Sequence, residues 1–191
     1  MFKSFLLATR PKTLVAAFIP PSVAHALYYY HSGETSYYYL TLCILGAILI
    51  QIATNFYNDA IDTLKGADVK RVGPTRMAAS GKLSPRALFF AGHFLNLLVV
   101  IIGYFIYLRG GWPYILIGMT SIYLSYGYTG GPFPLAYIGL GEIFVILYFG
   151  LISVLGSYYL FAQTIHYEAV VVAIQLGLLC TTLIMINNLR D

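Results

Sequence analysis

Charge is what this sequence lacks most. Of its 191 residues only 9% are Asp, Glu, Lys or Arg, against roughly 25% in an ordinary soluble domain, and that deficit excludes a surface built for water. Cysteine is scarce too. The two present, Cys43 and Cys180, both fall inside apolar blocks, which gives no support to a disulfide scaffold or a thiolate metal site. His25, His31 and His166 show no metal-ligand spacing, and no Ser-His-Asp pattern, P-loop or dinucleotide fingerprint is present. The net charge of +4 sits in short loops between apolar blocks rather than along one face, so nucleic acid is not the expected partner.

What abounds is apolar. Hydrophobic residues make up 59% of the chain, in blocks of about the ~20 helical residues that cross a ~30 Å hydrocarbon core. Periodicity and block length predict spans at residues 14–30, 37–56, 87–108, 112–128, 142–161 and 168–186. The expected fold is an all-α polytopic transmembrane bundle of about six spanning helices, with the bilayer as its solvent. Pro20-Pro21 should kink the first helix, and Tyr28 to Tyr30 and Tyr37 to Tyr39 read as interfacial anchors.

If the chain crosses at every span, Arg109 alone of the 11 basic residues stands on one side, and the positive-inside rule puts the others, with the N-terminus, in the cytoplasm. The same parity brings residues 55–68 and 187–191 to one membrane face. A cleaved secretory signal ending near Ala24-His25-Ala26 is the competing reading of the N-terminus, disfavoured by the proline pair and the aromatic run after it.

Residues 55–68 carry the strongest chemical signal. Gln51, Asn55, Asn58, Asp59 and Asp62 recur at helical spacing, so a polar stripe continues from an apolar helix. Carboxylates at membrane depth are costly and normally face a cavity or a partner. Asp59 and Asp62, one turn apart, repel each other unless a cation stands between them, and hard oxygen ligands suit Mg²⁺ bound together with a substrate phosphate. Asp68 lies beyond Gly66, a helix terminator, from where it could turn back toward the same ion. Calcium and a proton relay remain alternatives on these residues alone.

Opposite charge follows at once. Lys70, Arg71, Arg76 and Lys82 surround Gly73-Pro74-Thr75 and Ser80-Gly81, and guanidinium forks with glycine-flanking amides suit phosphate oxygens; a loop that only sets topology is the bland alternative. At the far end Asn187-Asn188-Leu189-Arg190-Asp191 repeats part of the theme, a second acidic edge to one site. Glu142 is divided between contact with a substrate and capping of a helix start. His93, Asn96 and Gln175 are expected to be packed or paired within the bundle, and Tyr123, Tyr126, Tyr128 and Tyr137 to line a cavity.

On these segments the chain resembles the UbiA-type intramembrane aromatic prenyltransferases, and among them the branch acting on 1,4-dihydroxy-2-naphthoate in menaquinone synthesis. The matching stretches are Arg10-Pro11-Lys12-Thr13-Leu14, residues 55–68, residues 71–76, Ser80-Gly81, residues 130–137 with Gly139-Leu140-Gly141-Glu142, and residues 187–191. The resemblance implies one transmembrane prenyltransferase domain over residues 1–191, incomplete because family members have about nine helices. It implies Mg²⁺ as cofactor, held by Asp59, Asp62, Asp68 and Asp191, with Asn55 and Asn58 beside the catalytic aspartates. It further implies a polyprenyl diphosphate gripped by Lys65, Arg71, Arg76, Lys82 and Arg190, and an aromatic acceptor near Tyr128, Tyr137 and Glu142. The site would lie on the cytoplasmic side of the cell membrane, and the oligomeric state is left open. No lysine follows Tyr128 before the fifth span, which favours dihydroxynaphthoate over 4-hydroxybenzoate as acceptor. A secondary transporter for an anionic metabolite is the alternative of a different class.

Overall fold

A computed structural model describes residues 1–66 and 75–190, with side chains through residue 186. A short N-terminal helix α1 (Phe2–Ala8) and a 3₁₀ turn (Pro11–Thr13) lead into α2 (Leu14–Ser32), α3 (Tyr37–Lys65), α4 (Pro85–Gly110) and α5 (Trp112–Gly127). After the connection at 128–140, α6 (Gly141–Val145) runs without a break through a π-helical stretch (Ile146–Leu155) into α7 (Gly156–Ala162), and α8 (Tyr167–Arg190) follows. No strand occurs among the described residues. The architecture is the all-α bundle that the composition predicts.

Local chemistry sets the helix ends. The Ser84 hydroxyl accepts the Ala87 N–H at 3.2 Å and Pro85 occupies the first helical position, so α4 begins on a side-chain cap. Gly66 ends α3 at φ 71°, in the left-handed region that favours glycine, as the sequence suggests. Helix α2 stays α-helical across Pro20 and Pro21, both of which are fully buried; neighbouring helices inside a bundle make such prolines tolerable.

Four of these elements, Tyr37–Lys65, Pro85–Gly110, Gly141–Ala162 and Tyr167–Ile186, are long and apolar enough to cross a membrane. Helix α2 carries histidines and tyrosines that dilute its apolarity, and α5 has 16 residues, about 24 Å at 1.5 Å per residue. The predicted six spans are thus six helical runs, four of which reach spanning length and apolarity by themselves. Large apolar side chains such as Phe90, Leu97, Tyr104, Met119 and Leu179 point outward and are exposed. That surface suits lipid and not water, and the chain is a multi-pass membrane protein.

Packing follows small residues. Helix α3 makes its most extensive contact with α4, and α8 with the π-helical stretch. At Gly150 an added Cβ would lie 2.5 Å from the Ala173 carbonyl oxygen and 2.7 Å from Gly177 Cα, so these two backbones touch through glycine alone. One buried cluster joins Phe56, Ala60, Met77, Ala78, Leu83 and Leu88. Another joins Tyr28, Val154, Tyr158, Phe161 and Ala169 at the opposite end of the bundle.

Several sequence expectations are corrected here. Tyr28 is buried and donates to Glu34 Oε2 at 3.0 Å, so it is a packed residue and not an interfacial anchor. Tyr123 and Tyr126 are absent from the cavity wall because helical rotation turns them to the far face of α5, where Tyr126 packs edge-on against Tyr57. Gln175 is exposed, since Ala173, Gly177 and Cys180 form the inward stripe of α8. His93 and Asn96 are paired as expected: the His93 ring shares a 3.1 Å hydrogen bond with the Tyr57 hydroxyl, and Asn96 donates to Tyr57 Oη and Ser125 Oγ.

Candidate active site

The last turns of α3 leave the lipid-facing pattern abruptly. Asn55, Asn58, Asp59 and Asp62 are all buried, on the stripe that helical spacing predicts, and all four border one cavity of about 980 Å³. Each is held from a different direction. Asn55 donates to the Thr9 carbonyl at 2.9 Å and to Thr13 Oγ1 at 3.1 Å, drawing the 3₁₀ turn onto α3. Asn58 Oδ1 accepts the Thr129 hydroxyl at 2.9 Å, and Lys65 Nζ donates to the Thr129 carbonyl at 2.8 Å while lying 4.4 Å from the centroid of the Tyr137 ring. These contacts bring the N-terminal turn, the end of α3 and the connection after α5 to one end of the bundle, as parity requires.

The two carboxylates do different things. Asp59, only 2% exposed, accepts the Met77 N–H at 2.9 Å on Oδ2 and the Ala78 N–H at 3.1 Å on Oδ1, so it organises the turn at 77–80. Asp62 accepts Arg76 Nη2 on Oδ2 at 2.8 Å and the Tyr137 hydroxyl on Oδ1 at 2.7 Å. The Asp62–Arg76 pair is buried, where desolvation makes an ion pair costly unless further hydrogen bonds satisfy it. The Tyr137 bond supplies one of these.

Beyond this polar end the cavity turns apolar. Its walls include Tyr128, Leu135 and Tyr137 near the aspartates, then Tyr148, Phe149 and Ile152 of the π-helical stretch, with Gly46, Ile102 and Ile106 further in. Leu183, Ile184 and Ile186 bring α8 to the same space. A strongly polar, oppositely charged mouth with a long hydrophobic interior fits an amphiphile that carries an anionic head. The side chain of Tyr128 enters this wall because Gly141 has none: a Cβ there would stand 2.8 Å from the Tyr128 hydroxyl.

The family model described as the UbiA prenyltransferase family matches residues 17–191. The chain belongs to the UbiA prenyltransferase family. Members of the family depend generally on a divalent metal. The donor set of Asn55, Asn58, Asp59 and Asp62 on one wall offers carbonyl and carboxylate oxygens, the hard ligands that fit such a cation. The chain is similar to the 1,4-dihydroxy-2-naphthoate octaprenyltransferase of Haemophilus influenzae, 34% identical over 95% of this chain and 62% of that protein. It is also similar to the proteins of that name from Escherichia coli K12, 35% identical over 99% of the chain and 63% of the relative, and Mycobacterium leprae, 31% identical over 100% and 64%. The chain thus spans 62–64% of the length of these UbiA relatives.

Around the cavity, the sequence-based assignments divide. Asp59, Asp62, Asn55, Asn58, Arg76, Tyr128 and Tyr137 meet at the cavity. Lys65 stands just behind it, through Thr129 and Tyr137. Lys82 is exposed and away from the cavity wall, because the turn at 77–80 carries the chain outward after Arg76. Glu142 sits in the first turn of α6 and is not a wall residue. Asp68, Arg71 and Asp191, with the side chain of Arg190, lie outside what is described. Two cavity cations were missed as site residues: Arg10, in the left-handed conformation at φ 51°, and Lys12. Their signal was a basic pair flanking a proline just before an apolar span. Sequence spacing also gave no metal motif among the histidines, yet His31, His166 and Glu168 converge at the other end of the bundle.

Proposed function

We propose that this chain forms the diphosphate-binding end and the prenyl cavity of a membrane enzyme that transfers a polyprenyl group from a polyprenyl diphosphate to 1,4-dihydroxy-2-naphthoate, the chain being one transmembrane domain. The observation that carries the proposal is the buried Asp59, Asp62 and Arg76 cluster at the mouth of a cavity that becomes apolar away from it. The names of the relatives support the acceptor.

The residues divide the work by chemistry. Asp59 and Asp62, with Asn55 and Asn58 beside them, would hold Mg²⁺, and Asp68 and Asp191 are proposed to complete the ligand set. When bound, the ion neutralises the diphosphate. Arg76, Arg10 and Lys12 offer donors to the phosphate oxygens, with Arg71 and Arg190 proposed to add theirs, so charge growing on the leaving group as the allylic C–O bond breaks meets fixed cations. Tyr137 fixes Asp62 through its hydroxyl and Lys65 through its ring. Tyr148 and Phe149 present π faces to the allylic cation and, with the aliphatic walls, keep water from it. The naphthoate carbon that bears the carboxylate then forms the new C–C bond, and carbon dioxide departs leaving its bonding electron pair in the ring. The acceptor would enter beside Tyr128. The basic face of the bundle is proposed to lie on the cytoplasmic side of the cell membrane.

Competition tests the proposal. With membranes containing the full enzyme, a polyprenyl diphosphate and equal dihydroxynaphthoate and 4-hydroxybenzoate, pyrophosphate release should be matched by prenylated naphthoquinol. A majority of prenylated hydroxybenzoate would overturn the acceptor assignment, and solute flux in vesicles without pyrophosphate release would overturn the enzyme.

A further inference from the structure

The end of the bundle opposite the aspartates carries a cluster that the prenyl-transfer site does not use. His31, in the last turn of α2, meets His166 and Glu168, which flank the start of α8, and one ligand atom from each lies within 4.8 Å of the others. The two imidazole rings stack at 4.5 Å with 24° between their planes. His31 Nε2 stands 3.9 Å from Glu168 Oε2, while its other nitrogen, Nδ1, shares a 2.6 Å hydrogen bond with the hydroxyl of Tyr158. Tyr158 is fully buried within the cluster of Tyr28, Val154, Phe161 and Ala169.

We propose that His31, His166 and Glu168 bind a divalent transition metal of the Zn²⁺ class. Two imidazoles and a carboxylate are borderline donors that suit Zn²⁺ and its neighbours better than Mg²⁺. The Tyr158 bond is the kind of outer contact that prepares a histidine for a metal: with the Nδ1 proton given to the hydroxyl oxygen, Nε2 keeps its lone pair and is aimed at the other two ligands. Atoms bound to one tetrahedral Zn²⁺ at ~2.0–2.1 Å stand roughly 3.3 Å apart, closer than in the empty cluster. His166 and Glu168 are both exposed, so their side chains can close that gap while His31 stays on its buried tyrosine. The Glu168 carboxylate offsets the positive end of the α8 dipole, which by itself disfavours a cation. Once bound, the metal would tie the end of α2 to the start of α8, with a water in the fourth position. None of the three ligands borders the aspartate cavity, so the metal is a structural staple.

Tag-free protein in detergent, with excess Mg²⁺ to occupy the oxygen-ligand site, should take up one Co²⁺ with the absorption bands of a four-coordinate nitrogen and oxygen site, and Zn²⁺ should displace it. His166→Gln and Glu168→Gln, at exposed positions with little risk to folding, should each weaken uptake by at least about tenfold, and Tyr158→Phe by about tenfold through loss of the orienting bond. Zn²⁺ should raise the thermal unfolding midpoint of the parent protein and not of His166→Gln. No Co²⁺ uptake by the parent, or equal uptake and an equal Zn²⁺ shift in His166→Gln, would overturn the proposal and leave an ordinary histidine–glutamate contact.

Discussion

Replacing Asp59 by Asn separates the structural use of this carboxylate from its proposed use as a ligand. Its two oxygens accept the Met77 and Ala78 amides at 2.9 and 3.1 Å in a site that is 2% exposed. Asparagine offers one acceptor oxygen and a donor NH₂ group, so one of the two amides must face a donor. Hydrogen bonds to a charged group are worth roughly 1.5–3 kcal/mol each, and a neutral one about 1. Losing one charged bond and demoting the other therefore costs about 3 kcal/mol, or about a hundredfold in the population of the ordered turn, since each 1.4 kcal/mol is tenfold. Because Arg76 immediately precedes this turn, its grip on Asp62 should loosen with it. Hydrogen exchange followed by mass spectrometry should show protection over residues 75–80 falling by about that factor in Asp59→Asn, while the interior of α4 is unchanged. Unaltered protection at Met77 and Ala78 would refute the reasoning, whatever happened to turnover.

Other perturbations follow from the same geometry. Tyr137→Phe removes a hydrogen bond that fixes Asp62 and should lower kcat about tenfold, the effect of roughly 1.4 kcal/mol, read in a steady-state pyrophosphate assay. Arg10→Ala, on the cavity wall, should raise KM for the prenyl diphosphate by about tenfold or more, whereas Lys82→Ala, off it, should change it less than about twofold; the reverse order would return Lys82 to the site. Gly150→Ala forces a Cβ to within 2.5 Å of the Ala173 carbonyl and should cost about 1–3 kcal/mol, seen as a lower unfolding midpoint in detergent.

The helices were legible because hydrocarbon imposes a single solution on an apolar block of spanning length. The stripe from Gln51 to Asp62 was legible for the same reason: polar residues at helical spacing in an otherwise apolar helix have few uses other than a cavity. Proximity in sequence was a poorer guide than helical phase. Lys82 is near the aspartates along the chain but is carried outward by the turn that Asp59 itself organises, whereas Arg10 and Lys12, distant in sequence, reach the cavity because Asn55 holds Thr9 and Thr13. Tyr123 and Tyr126 failed as wall residues through rotation about α5, while Tyr128 and Tyr137, beyond its end, succeeded. His31 and His166 could not be paired in advance, since only the packing of α2 against α7 and α8 brings them together.

A photoreactive polyprenyl diphosphate, cross-linked in membranes and mapped by mass spectrometry, tests most directly whether the cavity is the prenyl-diphosphate site. With the diazirine on the isoprene unit next to the diphosphate, labels should fall on the π-helical wall at Tyr148, Phe149 or Ile152 and be lost when Arg76 is changed to Met or when inorganic pyrophosphate competes for the polar end. Labels confined to the lipid-facing surface, at residues such as Leu97, Tyr104 and Leu179, and indifferent to Arg76→Met, would contradict it.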